Sequence, residues 1–442
     1  MRIIPYKVPI APEALLNLAS FSRQKDRSSP PTFVGRTDII EDVEECVRNM
    51  QRAGASSSCG IVVSGPPGSG KTSLIHHLSG QYEGSDVVPV RISGEELTHA
   101  HLVAAAILKA AAVPANELGR KAQTKWGLGL GKTVSVERTN QIDTPATRLS
   151  RPESVWDVVT DMVHISPETT FLMLVDECQR VERDPNSRYN LIAAQMNDAK
   201  TGDLKVLPVF AGLSDTKVQL AEVGVSRTAT PSHALEPLSA EEAGEAIAAF
   251  FNNELFGICD AFAPSDQTSI ANALVKASEC YPRHLHCYLQ GLAAELSRGS
   301  GALDMERVLD HGHQARLDYN FDRVESAKLG SFAKTLADAA GTIMNEFGEF
   351  EMDELVALAL KRLPKLDEDQ AQVAIDRAIH AGVLEVSRYR PDSLRAPIPS
   401  MLTYLALNRN AEAALQRMRE ACGQSELPTL NAQSQPNSSA RE

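Results

Sequence analysis

The sequence predicts an α/β protein: a parallel sheet enclosed by helices, followed by two smaller, helix-rich domains. Three observations carry that expectation. Continuous apolar runs at 60–64, 171–175 and 205–211 read as strands buried on both faces. Segments with helical apolar spacing lie between them, the alternation that builds parallel sheets. After Pro237 the strand signals stop and helical periodicity takes over, until an extended stretch at 384–398.

The composition agrees with a chain of several domains. A length of 442 residues suits two or three domains, and 43% hydrophobic residues supply a sizeable core. The formal net charge is −13, which repels phosphate backbones, so any nucleic-acid role must come from a local basic patch. Seven scattered cysteines without a Cys-x-x-Cys pair read as reduced thiols, neither a disulfide framework nor a zinc site. Residues 1–10 lack an apolar signal core. The longest apolar run, 102–113, is too short for a bilayer and contains Lys109. The expectation is a soluble, cytoplasmic protein without a membrane partner.

The elements follow in order. Residues 1–32 end in Ser-Ser-Pro-Pro-Thr and read as an extended N-terminal arm. Ile39, Ile40, Val43, Cys46, Val47 and Met50 fall at helical spacing within 38–52. A strand at 60–64 precedes a helix at 71–79, and a strand at 86–92 precedes a helix at 97–113. Residues 119–151 differ, with seven Lys or Arg against Glu137 and Asp143. Alternation at 130–136 among glycines suggests an inserted basic hairpin. The domain bounded by 33–238 closes after the strands at 171–175 and 205–211. Helices at 240–251, 269–278 and 282–298 form a bundle, and 303–328 reads as a connecting helix, together covering 239–328. Residues 329–408 hold helices at 331–345, 352–363 and 369–380, the ribbon at 384–398 and a last helix from Ser400, a winged-helix pattern. Residues 409–442 finish that helix and end in a polar tail expected to be disordered.

The chemistry concentrates in two places. Gly65, Pro66, Pro67, Gly68, Ser69, Gly70, Lys71 and Thr72 match G-x-x-x-x-G-K-[ST] between a strand and a helix. The glycines let backbone N–H groups converge on phosphate oxygens, and the helix N-terminus, with Ser73 in its first turn, adds positive potential. Lys71 is expected to reach the β- and γ-phosphates of ATP, and the Thr72 hydroxyl to hold Mg²⁺. The apolar run at 171–175 ends in Asp176 and Glu177. Asp176 is the expected Mg²⁺ holder and Glu177 the expected general base for water. The bland reading of the pair is a solvated acidic turn, which the upstream loop makes less attractive.

With these motifs in this order, the chain resembles the AAA+ ATPases, nearest to origin-recognition-type initiators, transposition ATPases and STAND regulators, over about residues 33–405. The resemblance implies an α/β parallel-sheet P-loop (AAA+) domain with a helical lid and a C-terminal winged-helix-like domain. Phe33-Val-Gly-Arg36 resembles the box beside the adenine, implicating Val34 and Arg36. Residues 209–215 occupy the sensor 1 place, where either Ser214 or Asp215 must serve. Gly224-Val-Ser-Arg227 resembles the segment whose arginine completes a neighbour's site. Tyr281-Pro-Arg283 resembles the sensor 2 start of a lid helix, with Arg283 facing the γ-phosphate. For Arg227 and Arg283 the bland alternative is a surface arginine. The resemblance further implies a homo-oligomeric ring or filament that controls a partner or effector protein. The alternative is a duplex-DNA-binding regulator of transposition or replication initiation that recruits a nuclease or recombinase. The insert at 119–151 is the better DNA patch or else a solvated loop. The 369–380 helix carries acids that oppose phosphate, while Arg388, Arg390 and Arg395 lie on the ribbon. The histidine pairs 99/101, 284/286 and 311/313 point to different helix faces and read as ordinary histidines.

Overall fold

The computed structural model describes residues 3–23, 33–53, 60–83, 85–111, 155, 169–180, 205–222, 231–345, 348–387, 390, 392–401 and 404. The basic insert at 119–151, Arg227, Arg388 and the tail at 409–442 lie outside the described residues.

Two short elements, β1 (Ile3–Pro5) and α1 (Pro12–Ser22), precede α2 (Thr37–Ala53). Then come β2 (Ile61–Ser64), α3 (Lys71–Gln81), β3 (Val87–Ser93), α4 (Ala100–Ala110), β4 (Thr170–Asp176), β5 (Lys205–Gly212), α5 (Thr216–Glu222) and β6 (Ser232–Ala234). The five strands β2–β6 form one sheet in the order β3-β4-β5-β2-β6, parallel throughout. Every residue of β5 is buried, as are all but the last of β4, which explains their unbroken apolar runs. Alternate residues of β4 serve opposite faces. Leu172 and Leu174 pack with α2 and α3 through Val43, Met50 and Leu74, while Phe171, Met173 and Val175 pack with α4 through Val103 and Ile107. Helices thus cover both faces.

The next unit contains α6 (Ala240–Phe251), α7 (Pro264–Ser278), α8 (Pro282–Leu296), β7 (Ala302–Asp304) and the long helix α9 (Met305–Ser326). Here the expected N-terminal arm is corrected. Residues 3–23 are built into this helical unit: β1 pairs antiparallel with β7, and Ala14, Leu18 and Phe21 of α1 sit in its core. The reason is a stripe at helical spacing, started by Pro12 at the first turn, that finds apolar partners on α6, on α8 and on Phe256 between them.

The last unit has α10 (Phe332–Thr342), β8 (Glu349–Glu351), α11 (Met352–Arg362), α12 (Glu368–His380), β9 (Glu385–Val386) and β10 (Ser393–Arg395). Its three strands form an antiparallel sheet in the order β8-β10-β9. Its core, with Leu355, Ile375 and Leu394, also takes in Tyr281, the residue before α8, and Tyr319 of α9. A buried polar hub ties these units together. His284 Nδ1 lies 3.2 Å from the Ser278 carbonyl, so that nitrogen carries the proton and Nε2 accepts from the Ser400 hydroxyl at 2.7 Å. Asn320 Nδ2 donates to the same Ser400 oxygen at 2.8 Å. Burial pushes the His284 imidazole well below its ordinary pKa and keeps it neutral. No described helix is long and apolar enough to cross a membrane.

Candidate functional site

The glycine-rich loop leaves β2 at the carboxyl edge of the sheet and enters α3 through Gly70, whose φ of 100° excludes ordinary side chains. Gly68, at φ 85°, is closed in as well: a Cβ there would lie 2.7 Å from Arg283 Cβ and 2.8 Å from the Tyr319 hydroxyl. Lys71 begins α3 and folds back over the loop, donating to the carbonyls of Gly65 at 2.7 Å and Pro66 at 2.8 Å. Its ammonium is enclosed, and lost hydration lowers its pKa from 10.5 to about 8, opposed mainly by the Asp176 charge. The Ser69 hydroxyl is buried and has no hydrogen-bond partner among the described atoms. An enclosed amine, an orphaned hydroxyl and a helix N-terminus fit a polyphosphate.

Thr72, one residue into α3, donates its hydroxyl to Asp176 Oδ2 at 2.6 Å. This bond joins the loop to the end of β4, two strands away from β2 in the sheet. A hydroxyl and a carboxylate side by side are hard oxygen donors of the kind Mg²⁺ takes with phosphate oxygens. Glu177 follows with φ 55°, an uncommon left-handed conformation for glutamate. The turn is pinned by the Glu177 amide on Asp176 Oδ1 at 2.8 Å and by the Gly94 amide on the Asp176 carbonyl at 2.6 Å. Gly94 is a position the sequence reading missed. A Cβ there would overlap the Glu177 carbonyl, so only glycine lets the end of β3 approach this closely.

The remaining expected residues are placed as follows. Arg36, at φ 64°, donates to the carbonyls of Ser69 at 3.2 Å and Glu236 at 2.6 Å, bracing the loop against the segment after β6. Val34 packs with Leu238 against the helical unit. Ser73 lies in the first turn of α3. Arg283 opens α8, and its amide donates to the Gly68 carbonyl at 3.1 Å, while its guanidinium lies 5.1 Å from the centre of the Tyr319 ring. Two phenols reach the loop: Tyr281 and Tyr319 both donate to the Pro67 carbonyl, Tyr319 at 2.7 Å. Burial raises both phenol pKa values, which keeps these donors protonated. After β5, Ser214 and Asp215 diverge. Asp215 accepts from Gln219 on α5, whereas Ser214 donates to Glu385 on β9. Tyr319 and Glu385 carried no sequence signal, because nothing local marks contacts made across hundreds of residues.

The pKa of Cys178, beside the acidic pair, is pushed far up by burial, so its thiol is inert packing. Among the histidine pairs, His284 serves the hub and His313 meets the Tyr288 hydroxyl at 2.7 Å. No group of three potential metal ligands from His, Cys, Asp and Glu occurs among the described residues.

A phosphate-cradling loop between a buried strand and a helix, tied to an acidic end of a second parallel strand, defines a P-loop nucleotide-binding fold. Residues 32–221 match the family described as an AAA ATPase domain, and the fold is that of an AAA+ P-loop ATPase resembling the origin-recognition type. It is similar to a Walker-type ATPase of Pyrococcus abyssi, with 12% identity and a TM-score of 0.55, covering 87% of this chain and 99% of that one. It is also similar to the ORC2 protein of Aeropyrum pernix, solved as ADPNP–ADP complexes. There the identity is 11% and the TM-score 0.54, covering 95% of this chain and 100% of that one. No curated protein matches the sequence.

Proposed function

We propose that the protein is an ATP-hydrolysing switch that assembles with further copies of itself and controls a partner protein. The observation that carries this reading is the 2.6 Å bond between Thr72 and Asp176, which unites the phosphate loop with the acidic strand end. In the proposed reaction Lys71 leaves the Gly65 and Pro66 carbonyls for the β- and γ-phosphates. Thr72 and Asp176 hold Mg²⁺, which when bound neutralises charge on the phosphates. Glu177 takes a proton from the attacking water as the bond between the γ-phosphorus and the ADP oxygen breaks. Arg283 reaches the γ-phosphate from the lid, and Arg227 acts on the site of an adjoining copy. The nucleotide-bound relative from Aeropyrum pernix supports the cofactor assignment.

Control of a protein is favoured over recruitment to DNA by the state of the ribbon. Arg395 is bonded to Glu385 at 2.6 Å, and Arg390 pairs with Glu351 at 3.7 Å. Each arginine already faces a carboxylate, Arg395 at close range, and α12 opens on Glu368 and Asp369.

The test is a pair of variants of the full chain. Lys71→Ala is expected to abolish nucleotide binding. Glu177→Gln is expected to bind ATP and turn it over at least about a hundredfold more slowly. Wild-type turnover by Glu177→Gln would remove the base assignment.

A further inference from the structure

The C-terminal domain lies directly on the proposed nucleotide site. Gly382 lies two residues past the end of α12 at φ 70°, and a Cβ there would overlap the ring of Pro67 in the phosphate loop. Three residues on, the buried Glu385 accepts the Ser214 hydroxyl through Oε2. Its other oxygen, Oε1, is held by Arg395 from Nε at 2.7 Å and Nη2 at 2.6 Å. One carboxylate therefore links β9, β10 and the loop after β5. Its charge also bears on Lys71.

A hydroxyl has one proton. Ser214 gives its proton to Glu385 and has none left for a phosphate oxygen. We propose that Glu385 sets the preference between ATP and ADP: it competes with the γ-phosphate for the Ser214 proton, so ATP displaces the C-terminal domain and ADP leaves it docked. This rests on the proposed ATP site and on taking Ser214, one of the two candidates at the sensor 1 place, as the residue that faces the γ-phosphate. Two further effects act in the same direction. A γ-phosphate beside Glu385 sets like charges together in a poorly hydrated cleft. ADP has no such group, so it meets neither the competing acceptor nor the repulsion. The Gly382 contact makes the effect mechanical, because a shift of Pro67 as the loop takes phosphate presses on the turn after α12.

Calorimetry on the full chain with Mg–AMPPNP and Mg–ADP tests the proposal. Glu385→Ala is expected to tighten AMPPNP binding about tenfold and to change ADP binding by less than about twofold. Gly382→Asn tolerates the positive φ and places a side chain against Pro67, so it is expected to shift the same ratio in the same direction. In the wild type, deuterium uptake at residues 382–387 is expected to rise with AMPPNP and to stay low with ADP. If both variants keep the wild-type ratio, or weaken both nucleotides equally, Glu385 is only structural and the proposal fails while the nucleotide site stands. If the wild type binds neither nucleotide, the site itself is misread and this proposal falls with it.

Discussion

Lys71 shows how burial makes a binding residue sensitive to pH. Its ammonium has exchanged water for two loop carbonyls and the field of Asp176, and its pKa is lowered to about 8. A bound polyphosphate favours the charged form and restores the higher value. Nucleotide binding above pH 8 is therefore expected to take up a proton, with affinity falling as pH rises from about 8 to 10. Calorimetry in buffers of different ionisation heat measures the uptake. Without nucleotide the linkage has the opposite consequence. Between about 8 and 10.4 the unfolded lysine holds a proton that the folded one has lost, so this residue's contribution to stability rises with pH across that window. Gly94 is the second residue with a sharp expectation. Gly94→Ala pushes on the Glu177 carbonyl, so the catalytic rate is expected to fall at least about tenfold while nucleotide affinity stays within about twofold. Steady-state kinetics beside equilibrium binding separates the two. At this scale the loop from Gly65 to Thr72 and the Asp176–Glu177 pair were legible, because each is a contiguous string whose chemistry depends on local spacing. Gly94 was not, since its role comes from a neighbouring strand 82 residues further on, at Asp176.

Among the elements, α1 departs most from expectation. The prolines and serines at 28–31 suggested an arm, while Ala14, Leu18 and Phe21 already carried the helical spacing that buries it. The Phe21 ring lies 5.3 Å from Phe250 and 5.4 Å from Phe256 and is fully buried. Phe21→Ala is expected to cost about 3–5 kcal/mol, read by denaturant unfolding. Strands β1 and β7 have three residues each, too few for an alternation to register, and β8 escaped notice for the same reason. The long helices were readable because they repeat the pattern: 240–251 coincides with α6, and 352–363 ends one residue beyond α11.

On the scale of the whole molecule, three units meet at one loop. Pro67 receives Tyr281 and Tyr319 on its carbonyl and Gly382 against its ring, and the His284–Ser400–Asn320 hub locks the second unit to the third. Asn320→Ala leaves Ser400 and its neighbours short of a partner in a buried place. Its expected cost is about 1–3 kcal/mol, seen as a lower denaturation midpoint. The order of the units was legible from where strand signals stop. Their convergence was not, because Ser214 and Glu385 are 171 positions apart and a single sequence carries no record of such pairings.

The pairing of Ile3 with Asp304 has a consequence for biosynthesis. A ribosome adding about 5–20 residues per second needs roughly 15–60 s to make the intervening stretch. For most of that interval, until Phe250 and Phe256 are made, the apolar stripe of the first helix has no mate. The opening segment of this polypeptide thus waits for a partner made far later, and during that delay it is a natural substrate for holding chaperones.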